Sequence, residues 1–311
     1  MWEIAAAHVP VLVEEVMAAL VPCVEGVYVD CTFGRGGHTR ELLSRIGANG
    51  RVLALDRDPQ AVAVGQAIAM TDTRLTMKRS AFSELSSITK TAGVYGQVDG
   101  VLLDLGVSSP QLADPQRGFG FSANGPLDMR MDPDRGESAS VWLRRASEQQ
   151  IAAVLWEYGE ERFARRIARA IVKARVEDPL DTTGRLAEVV AKAVPAWPRG
   201  RHPATRTFQA VRIFINAELE ELKAVLVQAP EVLAVKGRLV VISFHSLEDR
   251  IVKRFFRDAS RGKLSTAPRD GVSQRAPCLR LVGKLVRPSV HEVANNPRAR
   301  SARLRAAEKC A

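Results

Sequence analysis

Two acids and a run of glycines are the first groups in this sequence whose spacing suggests chemistry. The stretch Asp30-Cys31-Thr32-Phe33-Gly34-Arg35-Gly36-Gly37-His38 sets a carboxylate beside three glycines, which let a backbone approach a ligand closely. Asp56 follows, where an acid can accept both hydroxyls of a ribose. A charge-assisted bond of that kind contributes about 1.5–3 kcal/mol. Together these residues point to a nucleoside-containing cofactor. A dinucleotide site wants G-x-G-x-x-G/A, and Thr39 occupies the third small position here. No G-x-x-x-x-G-K-S/T phosphate loop occurs anywhere in the chain. S-adenosylmethionine has no pyrophosphate to cradle, and Asp30 beside the glycines suits its positively charged amino group. The methyl donor therefore outranks the dinucleotide. Competing local readings are a simple tight turn at the glycines and a helix cap at Asp56, as Asp58 before Pro59 could also be.

Residues of this kind must be carried on strand ends. Apolar runs predict strands at Val27–Asp30, Arg51–Asp56, Leu75–Lys78 and Gly100–Leu105, with helices at Val11–Leu20, His38–Ile46, Pro59–Met70 and after Phe82. That alternation predicts an α/β, Rossmann-like doubly wound sheet, which binds ligands beyond the carboxyl ends of its strands. A polar loop, Gln111–Pro133, then leads to predicted helices Ala139–Arg145, Ser147–Tyr158, Glu161–Arg175 and Thr183–Ala193. One long helix, Ala210–Val227, returns the chain to a strand at Gly237–Phe244, and Ser246–Asp249 reads as a capping box. Beyond Arg257 loops are expected, with a late hairpin around Leu279–Val286. The predicted domains are therefore 1–112 with 207–311, and an all-helical insert, 113–206.

The 311 residues are 46% hydrophobic and 26% charged, with net charge +10, which suits a globular chain with a sizeable core. No apolar stretch is long enough to span a membrane, and Met1–Pro10 lacks the pattern of a secretory signal, so a cytoplasmic protein is expected. Four scattered cysteines with no C-x-x-C pair argue against a disulfide framework or a thiolate zinc site, and no metal is expected. Charge is unevenly placed. Residues 1–141 carry 12 basic against 17 acidic groups, 142–212 carry 14 against 8, 213–249 carry 3 against 6, and 250–311 carry 16 against 4. A basic part set apart from an acidic one suits a protein that holds a small ligand in one place and a polyanion such as RNA in another. The plainer reading is that Arg165, Arg166, Arg169, Lys173 and Arg175 form a solvated helix face.

Several longer segments are distinctive: Asp104-Leu-Gly-Val-Ser-Ser-Pro-Gln111, Arg117-Gly-Phe-Gly-Phe-Ser, Gly125-Pro-Leu-Asp-Met-Arg-Met-Asp132, Thr207-Phe-Gln-Ala-Val-Arg-Ile-Phe-Ile-Asn-Ala-Glu218, Ser243-Phe-His-Ser-Leu-Glu-Asp249 and Asn296-Pro-Arg-Ala-Arg-Ser301. With the glycine loop, they resemble the bacterial 16S ribosomal RNA (cytosine-1402-N4) methyltransferase family, known as RsmH or MraW. The resemblance runs from about His8 to Leu304. It implies a class I S-adenosylmethionine-dependent methyltransferase fold interrupted by a helical substrate domain, with 16S rRNA of the small ribosomal subunit as partner. It also implies cofactor contacts at Gly36, Gly37, His38, Asp56, Phe82, Asp104 and Gln111. From its place in the chain alone, Phe82 suits either an adenine neighbour or core packing, and His38 either a ligand contact or a cap neighbour.

A cytosine amino group is a weak nucleophile, because its lone pair is delocalised into the ring. Acceptors aimed at its hydrogens, and an in-line methyl, are what an enzyme must supply. Many amino methyltransferases use an Asp/Asn/Ser-Pro-Pro-Tyr/Phe tetrapeptide after the fourth strand. This chain keeps the acid, Asp104, but continues Leu-Gly-Val-Ser-Ser-Pro, so the stacking aromatic is displaced. Phe119 and Phe121 are candidates for it, against simple loop packing. Methylation at pyrimidine C5 needs a cysteine after the fourth or fifth strand, and none is there; Cys31 follows the first. His245, after the predicted fifth strand, is the titrating group expected beside Asp104 at the catalytic centre. A flipped base must be held by phosphate contacts, for which the helical insert and Arg298, Arg300, Arg303 and Arg305 are the expected holders. Two other classes compete: an RNA-binding or ribosome-assembly factor that uses the nucleoside ligand without catalysis, and a nicotinamide-dependent reductase. Oligomeric state is left open, a homodimer included.

Overall fold

The computed structural model describes residues 10–21, 23–195, 202–263 and 276–311. All but Pro10 of the stretch read for a secretory signal lies outside them. Strands in chain order are β1 (Val27–Asp30), β2 (Arg51–Asp56), β3 (Leu75–Arg79), β4 (Val98–Asp104), β5 (Leu233–Ser243), β6 (Leu279–Val286) and β7 (Arg303–Lys309). Helices are α1 (Val13–Leu20), α2 (Gly37–Arg45), α3 (Pro59–Ala69), α4 (Leu85–Thr91), α5 (Ser109–Ala113), α6 (Ala139–Arg145), α7 (Glu148–Gly159), α8 (Ala164–Glu177), α9 (Thr183–Ala193), α10 (Thr205–Asn216), α11 (Glu218–Val232), α12 (Ser246–Ala259) and α13 (Val290–Asn295). The chain divides into two compact units, 1–106 with 219–311, and 107–218. The sequence reading put these boundaries at 112/113 and 206/207. Among the described residues, no helix is long and apolar enough to cross a membrane.

The first unit is a seven-stranded sheet in the order β3-β2-β1-β4-β5-β7-β6. β1 to β5 are parallel, and β7 is antiparallel to both β5 and β6. Side chains alternate between two buried layers. Tyr28, Val52, Ala54, Leu102, Val240 and Ile242 face one layer, with Val16, Met17 and Leu20 of α1. Val29, Leu53, Leu55, Val101, Leu103, Leu239 and Val241 face the other, with Leu222, Val225 and Leu226 of α11. Burial on both faces is why these strands read as nearly continuous apolar runs rather than as alternating ones.

Three sequence readings need correction. The single helix expected over Ala210–Val227 is two, because Ala217 takes the left-handed conformation (φ 49°) between α10 and α11. Asn216 is drawn out just before it: its Nδ2 donates to the carbonyls of Met129 and Arg212, and its Oδ1 accepts from the Met131 amide. β5 starts at Leu233, and its early part is irregular: Lys236 has φ 68° and the register to β4 shifts between Val98 and Gly100. The C-terminal segment also holds a full strand, β7, between β5 and β6, where loops and a local hairpin were expected.

The second unit is helical, around a core that includes Trp142, Leu143, Ile151, Leu155, Ile167, Ile171, Leu186, Val190 and Phe208. Its long polar loop is pinned rather than loose. Arg117, only 8% exposed, donates from Nη2 to the carbonyls of Arg130 and Met131. Phe119, Leu127, Met129 and Met131 enter the core. Phe119 is thus packing material, and Phe121 sits against Phe208 and His202, at centroid distances of 4.8 and 4.6 Å.

Candidate functional site

Parallel order in the first five strands puts their carboxyl ends on one edge of the sheet, and six sequence-predicted positions gather there. Gly36, Gly37 and His38 follow β1, Asp56 ends β2, Phe82 opens a 3-10 turn just past β3, and Asp104 ends β4. Gly36 holds φ 76°, and a Cβ on it would lie 2.7 Å from the Phe33 ring. A Cβ on Gly37 would lie 2.8 Å from Pro10. Both positions therefore require glycine for the chain's own packing, whatever approaches from outside.

The acids divide into supporting and available groups. Asp30, 1% exposed, accepts from the Thr39 hydroxyl at 2.6 Å and the Thr32 amide at 3.1 Å. It ties the glycine loop to the start of α2, and Thr39, which breaks the dinucleotide pattern, is its partner. Asp56 accepts from the Gly34 amide at 2.8 Å with one oxygen and from the Asp58 amide at 2.9 Å with the other. Capping of α3 falls to Asp58, which accepts from the Gln60 amide. Each Asp56 oxygen keeps a lone pair for a further donor.

Asp104 is tied through its amide to Thr32 Oγ1 at 2.6 Å. Its carboxylate is more open: Oδ2 lies 3.7 Å from His38 Nδ1, and Oδ1 is buried without a hydrogen-bond partner. His38 Nε2 lies 2.9 Å from the Val11 carbonyl. A carbonyl only accepts, so Nε2 carries the hydrogen and Nδ1 faces Asp104 with a lone pair or a proton. Burial pushes Asp104 up to about 6; the nearby His38 works against this, while Asp30 and Glu248 add to it. Burial likewise pushes Asp56 up to about 6, against the amide bonds from Asp58 and Gly34 and with help from the charges of Asp58 and Asp30. The strand edge is thus a buried cluster of carboxylates in mutual repulsion, with an unbonded oxygen among them. Such a cluster suits a cationic ligand with donor groups, as a sulfonium with an ammonium and ribose hydroxyls would be.

Residues 5–310 match the MraW methylase family. The chain belongs to that family. It is 55% identical over 309 residues to the ribosomal RNA small subunit methyltransferase H of Thioalkalivibrio sulfidiphilus, covering 99% of this chain and 98% of the relative. It is 56% identical over 307 residues to the protein of the same name from Thiobacillus denitrificans, covering 98% of each. A solved structure described as a putative rRNA-methylase from Clostridium thermocellum aligns over 98% of this chain and 99% of its own, at 13% identity and a TM-score of 0.44. That last likeness says nothing of activity.

Two further predicted positions have local structural duties. His245 is the N-cap of α12: its Nδ1 faces the Glu248 amide at 3.5 Å, and its Nε2 lies 3.0 Å from Glu248 Oε1. Glu248 Oε2 accepts in return from the amides of Phe244 and His245. The capping box therefore sits on His245 and Glu248, one residue before the predicted Ser246–Asp249. Gln111 lies in the helical unit, where its Oε1 accepts from the Ser108 amide and closes a capping box on α5. Phe82 packs partly against the sheet core, with the Arg57 guanidinium 5.9 Å from its ring centre. Cys31 is buried and free, and burial pushes its thiol well above the ordinary range, which does not suit a nucleophile.

Sequence reasoning missed the supporting set: Thr39 on Asp30, Thr32 on Asp104, and Val11 on His38. Only the hydroxyl at Thr32, two residues from Asp30 in the sequence, gave a signal. The tail arginines also need correction. Arg303 Nη1 and Arg305 Nε bind Asp249 at 2.8 and 2.7 Å, joining β7 to α12. Arg298 and Arg300 remain exposed.

Proposed function

We propose that this chain transfers a methyl group from S-adenosylmethionine to the exocyclic N4 of cytidine 1402 in 16S rRNA of the small ribosomal subunit. The observation that carries the reading is near full-length identity above half with the small-subunit methyltransferases named above. The strand-edge chemistry supports it. Gly36 and Gly37 would give the cofactor backbone approach, Asp56 its ribose acceptor, Phe82 a ring for the adenine, and His38 and Asp104 the surroundings of its charged end. Gln111 is the cofactor contact proposed from the helical unit, and that unit is proposed to hold RNA. When bound, S-adenosylmethionine supplies an electrophilic methyl on a sulfonium.

The chain's own groups must orient the amine and take a proton from it. Asp104 Oδ1, buried and unbonded, accepts a donor hydrogen and favours the nucleophilic form of the nitrogen. With its carboxyl pushed up to about 6, the same oxygen can hold the proton that leaves N4. His38 Nδ1 beside the other oxygen then bears on the charge of that carboxylate. His245, at the end of β5, is the second titrating group proposed at the catalytic centre.

Labelled S-adenosylmethionine incubated with unmethylated 30S particles, followed by mapping of the labelled nucleotide, tests the reading. Label on the N4 of cytidine 1402 is expected; label elsewhere, or none, would refute it. Asp104→Ala is expected to lower turnover by at least a hundredfold, in line with the loss of one preorganised electrostatic partner. Full turnover in that variant would remove Asp104 from the chemistry.

A further inference from the structure

Cations in the helical unit are mostly matched within the unit itself. Arg130 pairs with Asp128, Arg144 with Asp181, Arg145 with Glu137 and Lys192 with Glu188. α8 departs from this habit. Its buried side is Ala164, Ile167, Ala168, Ile171 and Ala174, which leaves Arg165, Arg166, Arg169 and Lys173 exposed, with Arg162 exposed just before the helix. Of these five, Arg169 alone has a carboxylate within 4 Å among the described residues, that of Glu148 at 3.6 Å. Arg162 lies over the Phe163 ring, 5.4 Å from its centre. Arg175, in the same helix, does not belong to this set: its Nη1 donates to the carbonyls of Leu143 and Ala146, closing the end of α6.

This arrangement works against the isolated helix. Arg165 and Arg169, and Arg169 and Lys173, are like charges four residues apart, which repel on a helix surface. The first turn holds no acid and two arginines, at the end where the helix dipole disfavours cations. A merely solvated face has no need of unmatched repulsion in a unit that matches its charges elsewhere. From Arg165 to Lys173 the ridge extends about 12 Å along the axis, and four of its five cations are arginines, whose planar forks suit phosphate oxygens.

We infer that the α8 ridge, Arg162, Arg165, Arg166, Arg169 and Lys173, is a phosphate-tracking surface that grips the backbone of the RNA substrate. The inference rests on the proposed RNA methylation and adds to it which face of the helical unit touches RNA. Recognition there is of backbone charge, so the ridge supplies hold and salt dependence rather than choice of nucleotide.

The test compares two triple variants with equal change of charge. One is Arg165→Gln/Arg166→Gln/Lys173→Gln. The other is Arg144→Gln/Arg145→Gln/Lys192→Gln, which removes cations that have acid partners. Affinity for a labelled decoding-centre fragment of 16S rRNA and for poly(U) is measured across salt concentration. The ridge variant is expected to bind both on the order of tenfold more weakly, with a log-log salt slope shallower by about 2, at about 0.7 for each single-strand phosphate that is no longer neutralised. It should also melt no lower than wild type, since repulsion is relieved, and the control should keep nearly the wild-type slope. A wild-type slope in the ridge variant, or an equal loss in the control, would overturn the inference. So would loss of affinity for whole 30S particles with both RNA slopes unchanged, which would assign the ridge to an acidic protein. Failure of the proposed methylation reads out separately, as absence of label from wild-type protein, and leaves the poly(U) comparison intact.

Discussion

Burial pushes both Asp56 and Asp104 up to about 6, so the strand edge proposed to hold the cofactor changes its charge within an accessible pH range. Without ligand, native values above the unfolded value of about 3.9 mean that the folded chain binds extra protons between about pH 4 and 6. These two groups therefore make stability fall as pH rises through that window. A cationic cofactor has the opposite preference, for the charged carboxylates. Its affinity, followed by calorimetry, should be level above pH 7 and fall below pH 6, with protons released on binding in the acid range. Asp56→Asn and Asp104→Asn should each flatten that profile; an unchanged profile in both would separate these acids from the ligand. His245 calls for a different separation, between capping and chemistry. Asn is among the best N-cap residues, so His245→Asn keeps α12 capped while removing the titrating ring. Unchanged melting with turnover lowered tenfold or more is expected, and unchanged turnover would leave His245 as a cap alone. The acids at strand ends were legible in the sequence because polar residues end apolar runs. The duty of Asp30 was not, because only folding brings Thr39 to it, and His245 concealed a cap because histidine is an unusual residue for that place.

At the scale of elements, apolar patterning located β1 and β2 to the residue, and also α6 and α9. It failed at Ala217, where α10 and α11 both carry helical periodicity and the break is a single backbone conformation. No glycine marks that position, and an L-residue there is strained by about 1–2 kcal/mol. Ala217→Gly is accordingly expected to stabilise the chain by roughly 1 kcal/mol, read as a higher denaturant midpoint with no change in slope; a lower midpoint would mean that the alanine side chain has a packing role there. β7 was missed because its charged residues resemble a polyanion-binding tail, when two of them face Asp249. Burial tends to raise the Asp249 carboxyl, but the hydrogen bonds from Arg305 and Arg303 prevail and hold it below the usual carboxylate range. Its contribution to stability is thus present above the unfolded pKa and lost as pH falls. Arg303→Ala/Arg305→Ala should cost on the order of 2 kcal/mol of stability, whereas Arg298→Ala/Arg300→Ala should leave melting unchanged and weaken RNA binding. Equal effects of the two pairs on RNA affinity, at equal stability, would restore the expectation of four tail arginines as RNA holders.

Across the whole molecule, uneven charge proved informative where net charge was not. The acidic first part of the sequence contains the strand-edge carboxylates. The basic middle segment contains α8, whose exposed cations, Arg169 apart, lack among the described residues the acid partners found elsewhere in the helical unit. A count cannot tell these situations apart, since Arg144 and Arg165 weigh the same in composition and differ only in what stands opposite. The first unit is discontinuous in sequence, because the helical unit is inserted between β4 and β5.

The place of β7 has a consequence for how the chain is made. β6 leaves the ribosome before β7, but its place in the sheet is beside β7, which separates it from β5. During vectorial synthesis, β6 must wait with its backbone amides and carbonyls wetted until the chain as far as Lys309 has emerged, and the outer half of the sheet then closes in one late event. Until that moment β5 is a bare edge, open to mispairing with a neighbouring nascent chain.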